Sequence, residues 1–276
     1  SALIIMAATF IALPLTPQQP IDPWGVINLR ALWLLTIIIA AATFAGYVAL
    51  RTLGPSAGLM AAALAGAIVS STAVTADLAR RVRGKEIGEA EAAGAASLAT
   101  AVMFVRVGLL ASIASAVAWR LAPAAAAGAL GAAAAAFALK RFMPQSRSSS
   151  HYPDLHSPLD LLSVGRFALL LGALSVLAKV LSSHFGDGGI LAFAATAGFA
   201  DVDVVTISVS RQAQSDLAPA LAAAAALIAA SANMVFKLAL AFFAGNWRFA
   251  ALFAGVSALA FALAWAAFIL LPLSPP

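Results

Sequence analysis

Ala99-Thr100-Ala101-Val102-Met103-Phe104-Val105-Arg106 and Ala230-Ser231-Ala232-Asn233-Met234-Val235-Phe236-Lys237 share a pattern. Each is an apolar helical stretch with methionine at the same place and one basic residue three positions later. A basic residue inside such a run is costly in lipid, by roughly 2.5–3.5 kcal/mol on insertion scales, so its repetition is informative. The surrounding features repeat at the same offset, roughly 130 residues. Ser70-Ser71-Thr72-Ala73-Val74-Thr75 followed by Arg80 matches Asp201-Val202-Asp203-Val204-Val205-Thr206 followed by Arg211. Trp119-Arg120 matches Trp247-Arg248, and Gly54 matches Gly186. None of these matches depends on the abundant alanine.

The composition sets the solvent. Hydrophobic residues make up 63% of the 276 and charged residues 10%, well under the quarter of charged residues usual in a soluble domain. In a bilayer every backbone polar group needs an internal partner, which leaves helices or closed barrels. The apolar runs are too long for barrel strands and lack period-2 alternation, so they are read as helices. The net charge of +5 lies mostly in loops, where it sets orientation, and no nucleic-acid partner is expected. The chain has no cysteine, which excludes disulfides and thiolate metal sites.

Hydropathy and turn residues predict about nine transmembrane helices, at 2–15, 29–53, 57–80, 88–116, 121–140, 159–184, 188–211, 217–244 and 249–271. The expected fold is therefore an all-α integral membrane protein. It has an N-terminal helix with a Pro-rich loop (1–28), a first four-helix repeat (29–141), a Ser/Pro-rich cytoplasmic loop (142–157) and a second four-helix repeat (158–276). Four spans per unit is an even number, so the two units are expected to be parallel, related by an axis along the membrane normal. Strict alternation puts nine basic residues on one side and three on the other. The positive-inside rule then places the N-terminus outside and the C-terminus in the cytoplasm of a bacterial inner membrane.

Chemistry is expected where charge meets apolar helix. Asp201 and Asp203 lie near mid-depth in the predicted seventh helix. Two residues of α-helix rotate by roughly 200°, so both carboxylates reach one cavity only if the helix unwinds just after Gly198. With Thr206, Asn233 and main-chain carbonyls they form an all-oxygen shell suited to Mg²⁺ or another hard cation. Ser70, Ser71, Thr72 and Thr75 are expected to line the pathway, with Arg106 and Lys237 as counter-charges. The structural alternative is a set of buried ion pairs that fix helix packing, with the hydroxyls back-bonded to their own helices. Asp77 is expected to neutralise Arg80 or Arg81. His151, Asp154 and His156 carry metal-ligand residue types but sit in the Ser/Pro-rich loop. The small-residue stripes through Ala124 to Ala136 and Ala222 to Ala226 predict close helix packing, and leave room for a homodimer. No G-x-S-x-G, H-E-x-x-H or phosphate-binding loop is present, and no enzyme activity is expected.

The stretch Gly66-Ala67-Ile68-Val69-Ser70-Ser71-Thr72-Ala73-Val74-Thr75 with Leu78-Ala79-Arg80-Arg81 resembles the C-terminal membrane domain of MgtC/SapB-related bacterial proteins. So do Pro23-Trp24-Gly25, Phe185-Gly186-Asp187, Gly198-Phe199-Ala200-Asp201-Val202-Asp203 and Asn233 with Lys237. The resemblance implies a tie to Mg²⁺. It also implies partnership with an MgtC-like domain or another membrane protein, since those relatives are proposed both as Mg²⁺ transporters and as regulators. The leading expectation is a transporter or channel for a small inorganic cation. The alternatives are a non-transporting regulator and an anion transporter using Arg106 and Lys237.

Overall fold

The computed structural model describes residues 58–142, 180 and 184–270. The predicted helices at 2–15 and 29–53, that at 159–184 except residues 180 and 184, nearly all of the 142–157 loop, and the His151–Asp154–His156 cluster lie outside the described residues. Every regular element among the described residues is helical. They are α1 (Gly58–Arg83), α2 (Glu89–Ala111), α3 (Ser115–Phe142), α4 (184–197), α5 (Val202–Gln212), α6 (Pro219–Leu240, continued by a π turn at Ala241–Gly245) and α7 (Trp247–Leu270).

Four of these, α2, α3, α6 with its π turn, and α7, are long and apolar enough to cross a membrane. The 23 residues of α2 span about 35 Å at 1.5 Å per residue. Each begins or ends where the sequence changes character. Glu89 and Glu91 occupy the first turn of α2, Pro219 opens α6, and Asn246 accepts from Phe249 N to cap α7. The packing is that of small residues. Ala92, Ala93, Ala95 and Ala96 of α2 are fully buried, and Ser97 Oγ donates to Ala132 O across to α3 at 2.8 Å. A Cβ on Gly128 would lie 2.6 Å from the Phe104 ring, and one on Gly131 would lie 3.2 Å from Ala260 Cα of α7. The alanine stripes serve this close approach.

The predicted spans at 57–80 and 188–211 are not continuous helices. Ser70 is extended inside α1, with φ −159° and ψ 110°. A Cβ on Gly66 would lie 2.8 Å from Cγ2 of Val74, whereas eight residues of straight helix separate two sites by about 12 Å. The chain therefore turns back at Ser70, and α1 is a hairpin of two arms, 58–69 and 71–83. Both open ends lie together: Met60 Cε of the first arm packs at Gly94, near the start of α2. The second break follows the same plan. A turn at 198–200 leads to Asp201, extended at φ −160° and ψ 120°, and α5 starts at the next residue. Ile190, Phe193 and Ala194 of α4 share one buried cluster with Val205 and Val209 of α5 and with Ala222 and Ala223 at the start of α6, so α4 folds back beside α5 and the two form a second hairpin with its tip at Asp201.

The two halves also run in opposite senses, which corrects the expected parallel relation. Arg83 Nη1 donates to Phe243 O at 2.8 Å, Asn246 Nδ2 donates to Glu89 Oε1 at 3.1 Å, and a Cβ on Gly245 would lie 3.3 Å from Ala79 Cα. The turn after α1 thus sits beside the turn between α6 and α7. At the other end Gln214 Nε2 donates to Ile113 O at 2.6 Å, joining the turn after α5 to the turn between α2 and α3. Parallel units would have put the turns after α1 and α5 at one end. The physical reason is parity: a hairpin returns to its own side, so counting it as a span inverts the expected sense of everything after it.

The second tip rests on a backbone contact. A Cβ on Gly198 would lie 2.6 Å from both Cα and O of Ala229, atoms that cannot swing aside. Gly198→Ala is expected to lower stability by about 1–3 kcal/mol through overpacking, read as a lower melting temperature in detergent. An unchanged melting temperature would show that α6 does not press on this tip.

Candidate functional site

The two hairpin tips meet at one cavity of about 360 Å³. Ser70, Ser71 and Thr72 line it from the first tip, and Ala200, Asp201, Val202 and Asp203 from the second. Met103 and Arg106 of α2 and Asn233 of α6 complete the polar wall. Each tip carries its own helix cap. Ser70 Oγ accepts from Ala73 N at 3.1 Å, and Asp201 Oδ1 accepts from Asp203 N at 2.8 Å and Val204 N at 3.2 Å. These caps satisfy N–H groups that the start of a helix leaves without partners. They also explain why the breaks fall at these residues: a short polar side chain offers the backbone an alternative to continuing the helix.

Both second arms start at the cavity and both first arms end there. The site therefore receives the partial positive charge of two helix starts and the carbonyls of two helix ends. Arg106 joins the tips. Its Nη2 donates to Asp203 Oδ2 in an ion pair, and its Nη1 donates to Ala67 O at 3.2 Å. Ala67 O is one of the last carbonyls of the first arm, where a helix end leaves acceptors unmatched. One guanidinium thus binds the first hairpin through its backbone and the second through its carboxylate. The side chains of Arg106 and Asp203 keep 23% and 10% of their surface exposed, so the pair borders the cavity and is not sealed in the core.

Of the residues singled out from the sequence, Ser70, Ser71, Thr72, Arg106, Asp201, Asp203 and Asn233 converge on the cavity. Asp201 and Asp203 both line it, and the helix is broken after Gly198. Thr75 and Thr206 do not line it. Both are fully buried and donate to carbonyls one turn back, Ser71 O and Val202 O, each at 2.9 Å. Lys237 does not line it either. It is fully buried, with Nζ 3.4 Å from Met103 Sδ. Asp77 pairs with Arg81 at 2.8 Å, the neutralising role expected of it. No group of three His, Cys, Asp or Glu side chains gathers among the described residues, so any cation shell here combines two carboxylates with hydroxyl, amide and main-chain oxygen. Sequence reasoning missed Met103 as a wall residue, because a methionine in an apolar helix reads as core. It also missed the end contacts of Arg83, Gln214 and Asn246, which carry no local signature.

Apolar helices long enough to cross a membrane, with two broken helices meeting at a polar cavity, place the chain among compact helical membrane-type bundles with an internal polar site. Residues 37–245 match the family described as a domain of unknown function, DUF4010, and the chain belongs to that family. An uncharacterized protein of Aquifex aeolicus (strain VF5) is 29% identical over 94 residues, covering 34% of this chain and 41% of that protein. The chain thus spans about two fifths of that relative's length. No solved structure matches. Neither match bears on the resemblance to MgtC/SapB-related proteins.

Proposed function

We propose that the protein is a membrane transporter for a small inorganic cation, with its ion site in the cavity between the hairpin tips. The observation that carries this reading is the meeting of two helix breaks at one polar cavity holding two carboxylates. Lipid-facing helices gain nothing from such a feature, and broken helices at a central site are a recurrent transporter device. Asp201, Asp203, the hydroxyls of Ser70, Ser71 and Thr72, and the Asn233 amide supply hard oxygen donors. The resemblance to MgtC/SapB-related proteins favours Mg²⁺ among hard cations. Arg106 acts as a tethered competitor: it holds Asp203 until an arriving cation takes the carboxylate, and its return helps release.

The opposed sense of the two halves supports an inverted repeat, with its axis in the membrane plane, as the basis of alternating access. Arg80, Arg81, Arg83, Lys85, Lys140, Arg141 and Arg248 gather at one end of the bundle, and Arg120 and Arg211 at the other. By the positive-inside rule the first end is cytoplasmic in a bacterial inner membrane. The end of α7 then faces outward, opposite to the side that strict alternation of nine spans implies.

The Arg106–Asp203 pair favours a second reading, a non-transporting regulator or partner subunit braced by this partly buried ion pair. Uptake into proteoliposomes separates the two. The expected result is protein-dependent uptake of at least one of Mg²⁺, Ca²⁺, Na⁺ and K⁺. No uptake across that panel, from protein that remains folded, would remove the transporter reading.

A further inference from the structure

Position by position, the two hairpin tips carry the same plan with different charges. At the second tip Asp201 caps the arm, and Asp203 on its first turn takes the ion pair from Arg106. At the first tip the matching residues are Ser70, which caps, and Thr72. The residue matching Arg106 is Lys237. Both carboxylates have become hydroxyls, yet the cation remains. Lys237 is fully buried, its Nζ meets the neutral sulfur of Met103, and the charge acting on it is that of Arg106, which has the same sign. No carboxylate pairs with it among the described residues. A buried ammonium without a counter-charge is costly, and a thioether is a weak acceptor. Met103 itself forms part of the cavity wall. The ammonium therefore touches a side chain that lines the cavity, and that side chain is unbranched and flexible.

The first tip also offers donors facing the cavity. The second arm of α1, residues 71–83, begins there, and of its first N–H groups Ala73 N is already taken by Ser70 Oγ. The N–H groups of a first helical turn and the hydroxyls of Ser71 and Thr72 are anion ligands in kind. The second tip needs no such ligand, because Asp201 and Asp203 bring their own negative charge.

We propose that the first hairpin tip binds a compact monoanion, a one-carbon carboxylate or a halide, in the place that the Asp203 carboxylate takes at the second tip. Thr72, Ser71 and the start of the second arm hold it, and Lys237 balances its charge. This rests on reading the cavity as the transport site, and it specifies the cargo further: the cation moves together with an anion that offsets one unit of its charge.

The experiment uses the full chain with sodium formate, sodium chloride and sodium gluconate at matched ionic strength. Thermal unfolding in detergent and cation uptake into proteoliposomes are followed in parallel. Formate or chloride is expected to raise the melting temperature over gluconate, and to raise uptake about thirtyfold, the lower end of the loss expected when one charged partner is missing. Lys237→Met is expected to abolish both responses. Thr72→Asp supplies the missing carboxylate within the chain, so its stability and uptake are expected to be the same in all three salts. Should Lys237→Met fail to fold, Thr72→Asp decides. Cation uptake and melting temperature that are identical in all three anions overturn the anion site and leave transport standing. Anion stabilisation, lost in Thr72→Asp, with no uptake of any cation, keeps the anion site and removes the transporter reading.

Discussion

Asp203→Asn is expected to lower cation uptake on the order of a hundredfold, the consequence of truncating one partner of a desolvated charge pair. The same change leaves Arg106 without its carboxylate. Removing one member of a buried pair costs about 3–5 kcal/mol, and the 23% exposure of Arg106 puts this case toward the lower end. A simple loss of uptake would therefore confuse a missing ligand with a damaged fold. The double variant Arg106→Gln/Asp203→Asn separates them. It removes both charges, so its melting temperature is expected to return most of the way to that of the unaltered protein. Its uptake is expected to stay low, because the cation has lost a carboxylate whether or not the competitor is present. If uptake returns with stability, Asp203 is a brace for the hairpins and not an ion ligand.

Four membrane-length helices were legible in the sequence, because long apolar runs bracketed by Glu89, Pro219 and Asn246 admit little else, but the turn between α2 and α3 was placed at 117–120 where the structure has it at 112–114. The hairpins were not. With Ser70 included, α1 is 26 residues long, the length of one span, and no Pro or Gly stands at Ser70 to mark the reversal. Hydropathy sums over the break and reports a single helix. The second hairpin left a trace only because acids sit at its tip: two acids two residues apart can share one cavity only if the helix unwinds after Gly198, and that is where the turn lies. A missed reversal alters more than one element. It changes the parity of the unit, and with it the sense of the second half and the side on which α7 ends. The candidate site was more accessible to sequence reading than the topology, because burying charge in lipid is costly wherever the chain runs. Thr75 and Thr206 fell outside the cavity for the reason that makes threonine tolerable in such helices, a hydroxyl that bonds its own backbone one turn away.

Since the chain has no cysteine, single cysteines report topology against a blank background. Lys85 and Arg248 are exposed at one end of the bundle, near the Arg83–Phe243 and Asn246–Glu89 contacts, and Ser112 and Ser215 at the other, near the Gln214–Ile113 contact. In right-side-out vesicles treated with a membrane-impermeant maleimide, cysteine at 112 and at 215 is expected to label. Cysteine at 85 and at 248 is expected to stay unlabelled until the vesicles are opened. The pairing carries more weight than the absolute side. Two parallel units with continuous spans require 85 to behave like 215, and 112 like 248, so the two arrangements differ at every pair. Reversal of all four labels together would invert the orientation taken from the basic residues and leave the opposed hairpins untouched. Labelling that groups 85 with 215 would separate the hairpin tips from any shared cavity, and with that the ion site between Asp203 and Thr72 loses its basis.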